Sequence, residues 1–169
     1  MQPDEPSSEQ PAASFDPVAL IRAVRFEYQM AVATAIRAHQ LLHPSDDDEF
    51  IAGVAFVESF LVHARCLDEF LASRGNYRTD ARASDFVAEF SDPPLEPGVR
   101  DSINRALQHI TLYRQDGHLP WVPLELLVPI VEAMDHFIKD LALNNPELAD
   151  QLTEVHANAE VALSRSSER

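Results

Sequence analysis

The sequence predicts an all-α protein, a single-domain helical bundle of about five main helices plus a short crossover helix. Three observations carry that prediction. Glycine occurs only 4 times in 169 residues, whereas alanine, leucine and glutamate are plentiful, which favours helices over a turn-rich β architecture. Apolar residues recur at steps of three and four through several long segments. Those segments are separated by aspartate, asparagine, proline and glycine in the order expected of helix starts and stops.

The length fits one domain, enough to bury about 70% of the surface the unfolded chain exposes. Hydrophobic residues make up 46% and charged residues 24%, the profile of a globular chain that can build a core. Residues 1–14, rich in Pro, Ser, Glu and Gln, read as a disordered arm. The bundle domain is expected over 15–163, with a frayed tail at 164–169.

A first helix starts at Asp16-Pro17, with aspartate as N-cap and proline at the first helical position. Its apolar stripe runs Ile21, Val24, Tyr28, Val32, Ala35, Leu42. His39 lies on that stripe and His43 one turn on. His-x-x-x-His can hold a metal, but no acidic third ligand accompanies it, so a partly buried, hydrogen-bonded His39 is the expectation.

Pro44 breaks this helix, and Ser45 or Asp46 caps the next, whose acidic first turn complements the helix dipole. The segment from Glu49 to Ser73 is the centre of the chain, proline-free and apolar over most of its circumference. Phe56, Phe60, His63, Leu67 and Phe70 project to one side, and Glu58, Val62, Arg65 and Glu69 to another. Glu58 and Arg65 are positioned to flank a common partner. His63, among aromatic side chains, is expected to bond a polar group on a neighbouring helix.

Arg74-Gly75-Asn76 ends this helix, with glycine just past the C-terminus. A short crossover helix follows at about Asp80 to Phe90, pinned by Phe86, Val87 and Phe90 and stopped by Ser91-Asp92-Pro93-Pro94. It serves either as a connection or as a lid. The next helix spans Pro97 to Arg114 on Val99, Ile103, Ala106, Leu107 and Ile110. Arg105, His109 and Tyr113 are neighbours on one flank, with Asn104, Gln108 and Thr111 opposite, and Arg114 extends the apolar face. After Asp116-Gly117, Leu119 to Leu141 forms a fifth element. Pro123 suits its first turn and Pro129 predicts a kink in a helix begun earlier. Leu124, Leu127, Val128, Val131, Met134 and Ile138 make its core stripe, with Glu132 and His136 facing solvent. Asn144-Asn145-Pro146 opens a last helix to about Leu163, whose narrow stripe of Leu148, Leu152, Val155, Ala159 and Ala162 suits a bundle edge or a partner subunit.

The formal charge of −15, from 13 basic and 28 acidic residues, disfavours nucleic acid and anionic membranes as partners. Cys66 is alone, which excludes an intramolecular disulfide or a multi-cysteine zinc site. The acidic N-terminus lacks the basic and apolar regions of a signal peptide, and no run reaches the ~18 apolar residues of a membrane span. A cytoplasmic protein follows as the expectation. No glycine-flanked serine elbow or phosphate-binding loop is present, and no cofactor or metal is called for.

Two segments resemble a bacterial family of helical proteins without an assigned activity. Glu58-Ser-Phe-Leu-Val-His63-Ala-Arg65-Cys-Leu-Asp-Glu-Phe70 is similar to its Glu-x-x-Leu-x-His-x-Arg-x-Leu-x-x-Phe pattern. Ile103-Asn104-Arg105-Ala-Leu-Gln-His109-Ile-Thr111-Leu-Tyr-Arg114 is similar to its Asn-Lys-x-x-x-His-Leu-Thr-x-x-Arg segment. The resemblance spans about 50–137, and Asp80 to Phe86 fits its spacing. A looser resemblance is to the HEPN domains, helical bundles that often dimerise and include metal-independent ribonucleases using an Arg and a His four to six residues further along. That resemblance implies Arg105 steadying a phosphate and His109 as general acid or base, with three residues between them here.

Three functions follow as expectations. The first is a non-catalytic bundle that pairs with itself or with another protein, its Glu58, His63, Arg65, Asn104, His109, Thr111 and Arg114 (with His39) forming a structural or binding network. The second is the ribonuclease implied by the HEPN resemblance. The third is a small-molecule pocket lined by Tyr28, Phe60 and His63.

Overall fold

Asp16 opens the first helix by accepting hydrogen bonds from the N–H groups of Val18 and Ala19, with Pro17 occupying the first helical position. A computed structural model of the chain describes residues 16–166, apart from Asn76, Arg78 and 109–121. It is an all-α bundle of five helices: α1 (Pro17–Gln40), α2 (Asp47–Leu71), α3 (Pro97–Gln108), α4 (Pro123–Asn144) and α5 (Pro146–Ser166), with no strand among the described residues. Ile21, Val24, Tyr28, Val32 and Ala35 of the expected α1 stripe are all buried. Leu42 is exposed instead, because α1 ends at Gln40 and the stripe no longer continues on a helical spiral. His43 is likewise exposed beyond the helix, so His39 and His43 do not share a helical face. His39 is half-buried, and its Nδ1 has no partner among the described residues.

Asp46 caps α2 by accepting from Glu49 N–H, and the Glu49 carboxylate reaches back to the N–H and hydroxyl of Ser45. The short 41–46 connection sets α2 antiparallel to α1. α4 and α5 form a second hairpin, joined at Asn145, whose side chain accepts from Leu148 N–H. The two hairpins pack face to face, and the interior between them holds Tyr28, Phe60 and Phe137 with no exposed surface. Pro129 lies inside α4 and removes the donor for the Glu125 carbonyl, but Glu125 is exposed, so water can bond the freed oxygen and the helix continues. Val128, expected in the core stripe, is exposed, while Ile130 and Phe137 are buried.

Helix α2 ends earlier than its glycine suggests. Ser73, not Gly75, takes the left-handed conformation (φ 51°), with Ser73 N–H bonded to Phe70 O and Arg74 N–H to Glu69 O. Gly75 answers a different need: a Cβ there would lie 2.7 Å from Arg82 Nε.

The crossover is not a helix over Asp80 to Phe90. It holds a single 3-10 turn, Ala83–Asp85, and Glu89 adopts φ 60°, which no continuing helix allows. Its aromatic anchors do reach the core. Phe70, Phe86 and Phe90 all meet Phe137 edge-on, with ring centroids 5.2–6.3 Å apart.

Candidate functional site

The side chains that could act on something outside the bundle gather on the outer face of the α1–α2 hairpin. Two residue steps, 51 to 55 and 62 to 66, place Ile51, Ala55, Val62 and Cys66 along one exposed line of α2. Ile51 is 64% and Val62 46% exposed, and Phe26, from α1, is 55% exposed. Phe26 stands edge-on to His63 with centroids 6.1 Å apart, so the two helices contribute to one patch.

His63 and Glu27 form the polar centre of this patch. His63 Nδ1–H donates to Glu27 Oε2 at 2.7 Å, with both side chains partly buried. The carboxylate fixes the proton on Nδ1 and turns Nε2 into the free ring nitrogen. Cys66 follows His63 by one turn. Desolvation by its neighbours, with the negative charges of Glu27 and Glu69, pushes its thiol up, so Cys66 is the thiol and a poor nucleophile at neutral pH. Arg65 turns along its own helix, Nε donating to Glu69 Oε1 at 3.0 Å. Glu58 is half-buried on the same helix. Among the described residues no three His, Cys, Asp or Glu side chains are grouped to hold a metal ion.

A second polar group runs from the interior to the surface. Tyr28 is fully buried, and its hydroxyl is 3.0 Å from His156 Nδ1 on α5. His156 Nε2 faces two acceptors, Asp135 Oδ1 at 3.5 Å and Glu160 Oε1 at 3.7 Å. Both distances are long for a hydrogen bond, and Nε2 has no hydrogen-bond partner among the described residues. Burial, reinforced by the charges of Glu160 and Asp135, pushes the Tyr28 phenol far above its ordinary range, so it stays neutral. Asp135 is held below the usual carboxylate range, chiefly by a hydrogen bond from Lys139. The group ties α1, α4 and α5 together, its outer carboxylates Asp135 and Glu160 reaching the surface.

The expected pocket of Tyr28, Phe60 and His63 does not form: Tyr28 and Phe60 have no exposed surface. A shallow groove of about 230 Å³ lies elsewhere, between α1 and α5, floored by Val32, Ile36 and Val155 and rimmed by Arg25, which donates to Glu154 at 2.9 Å. Arg105 is exposed on α3, and Asn104 beside it is half-buried, its Oδ1 without a partner among the described residues. His109, Thr111 and Arg114 lie outside the described residues. Sequence reasoning missed Glu27, Asp68, Asp135 and His156. A glutamate beside an aromatic pair was the one local hint for Glu27; the others carried none.

No family model, curated protein or solved structure matches the chain.

Proposed function

We propose that the chain is a non-catalytic association module that pairs with a second copy of itself through the outer face of α2. The observation that carries this reading is that α2 is the one described helix apolar and long enough to cross a membrane, yet only 33% of that stretch is buried. A contiguous exposed line of aliphatic side chains on the most apolar helix is the kind of surface that marks an interaction site. The face is also self-complementary. In an antiparallel pair about a two-fold axis between positions 58 and 59, Ile51 meets the partner's Cys66 and Val62 meets the partner's Ala55. Each large side chain thereby faces a small one. A stable interface needs about 800 Å² from each copy, so the exposed Phe26, edge-on to His63, belongs to the contact as well. The weak thiol acidity of Cys66 supports a role without turnover at this face.

Sedimentation velocity tests this. The full chain is expected to sediment as a dimer, and a variant carrying Ile51→Asp and Val62→Asp as a monomer of unchanged helix content. A chain that stays monomeric up to ~100 µM, where even micromolar contacts are populated, overturns the reading. Co-sedimentation with neutral phosphatidylcholine vesicles, lost in the same variant, would overturn it in favour of a lipid surface.

A further inference from the structure

The groove between α1 and α5 holds both signs of charge at the rim of an apolar floor, and that combination narrows what it can take. Arg25, Gln29, Val32, Ala33 and Ile36 follow one another at helical spacing and so share one face of α1; Glu154, Val155 and Asn158 face them from α5. Val32 and Val155 are buried and Ile36 half-buried, which makes the floor. Ala33 is exposed and too small to fill the space above it. Gln29 and Asn158, both exposed, bring one side-chain amide from each helix, and each amide offers a carbonyl acceptor and an NH2 donor.

One end of the groove carries the charge. Arg25 Nη2 donates to Glu154 Oε2 at 2.9 Å, with the side chains 40% and 76% exposed. An ion pair so open to water contributes little stability, so a ligand can join it or part it at small cost. Beyond that one bond the guanidinium keeps further N–H groups and the carboxylate a second oxygen. A lone anion placed here would also meet Glu154, and a lone cation would also meet Arg25. A head group carrying both charges sets each against its opposite, so the pairing of Arg25 with Glu154 is itself the complement to it. The volume of about 230 Å³ lies below the ~300 Å³ at which pockets for drug-sized ligands begin, so the occupant is a small molecule.

We infer that this groove binds a free α-amino acid with a branched aliphatic side chain. Its carboxylate pairs with Arg25, its ammonium with Glu154, and its side chain lies on Val32, Ile36 and Val155. The amides of Gln29 and Asn158 supply further donors and acceptors to the head. No residue of α2 lines the groove, so the site stands apart from the self-association proposed for that helix.

The test is NMR titration of the full chain, ¹⁵N- and methyl-labelled, with L-leucine at constant pH and ionic strength. Saturable shifts are expected at the methyls of Val32, Ile36 and Val155 and at the side-chain amides of Gln29 and Asn158. The midpoint should be on the order of millimolar for a ligand of about nine heavy atoms in an open site. Isocaproate, which lacks the ammonium, and isopentylamine, which lacks the carboxylate, should each bind about tenfold more weakly, the factor for losing one charge-assisted hydrogen bond. Glycine, with no side chain for the floor, should not saturate. Ala33→Phe fills the groove and should abolish the shifts. Because that change is large, Glu154→Gln is the second variant; it lies at the surface and should weaken leucine about tenfold without weakening isocaproate. No saturable shift with leucine, equal binding of glycine or of either singly charged analogue, or full leucine affinity in both variants overturns the inference.

Discussion

Tyr28 and His156 are 128 positions apart and meet in the interior at 3.0 Å, where each satisfies a polar atom the other would otherwise leave buried and unpaired. Tyr28→Phe leaves His156 Nδ1 buried without its partner, so it should cost about 1–3 kcal/mol in urea denaturation at pH 7; a loss within error would mean water replaces the hydroxyl. The same group sets an alkaline limit. The Tyr28 phenol ionises in the unfolded chain near pH 10 but stays protonated when folded, because burial raises it. Above that pH the unfolded state binds fewer protons than the folded state, so stability falls as pH rises. Wild type and Tyr28→Phe should therefore converge above pH 10, by about 1.4 kcal/mol per pH unit. His136, at the surface, shows the opposite class of shift. Its hydrogen bond to Asp92 at 2.8 Å raises its pKa, so it contributes stability at acid pH that is lost as pH rises through the raised value. Its NMR titration should move back toward the ordinary histidine value in Asp92→Asn, and an unmoved midpoint would remove the Asp92 contact from the account.

Ser73 shows what ends α2 and holds the crossover to it. A Cβ in the left-handed region costs about 1–2 kcal/mol, yet this serine is retained because its hydroxyl works twice, donating to Phe90 O at 2.6 Å and accepting Ser84 N–H at 3.0 Å. Ser73→Ala loses both bonds and keeps the strain, whereas Ser73→Gly loses the bonds and relieves it. The alanine variant should be the less stable by about 1 kcal/mol in thermal unfolding, and equal losses would mean the backbone relaxes out of the left-handed region. This element also marks where the sequence ceases to be readable. Asp16, Asp46 and Asn145 act within three residues of themselves, so the starts of α1, α2 and α5 follow from local chemistry. Gly75 is the usual stop signal, but the space it leaves is for Arg82, and the stop falls at Ser73 for a reason 11 to 17 residues away. The crossover looks helical from Asp80 to Phe90 for the same reason: its apolar spacing serves to drive Phe86 and Phe90 against Phe137, not to line a helix face. His63 could be read as needing a polar neighbour, but its choice of Glu27, 36 positions back, is a property of the packed hairpin.

At the scale of the whole molecule, charge sets how the contact proposed on α2 responds to salt. Two copies that each carry −15 repel one another, and that repulsion acts over a Debye length of about 10 Å at 0.1 M salt. The contact proposed on α2 places Glu58 and Ser59 at its two-fold axis, with Ile51 and Val62 to either side supplying burial that salt does not weaken. Raising the salt from low to moderate concentration should therefore tighten self-association. Sedimentation velocity across a sodium chloride series reads that response directly. If self-association instead weakens with salt, the contact is held by charge. In a chain this acidic, that would require an arginine-bearing surface of one copy to seat on an acidic face of the other, and α2 would no longer be the interface.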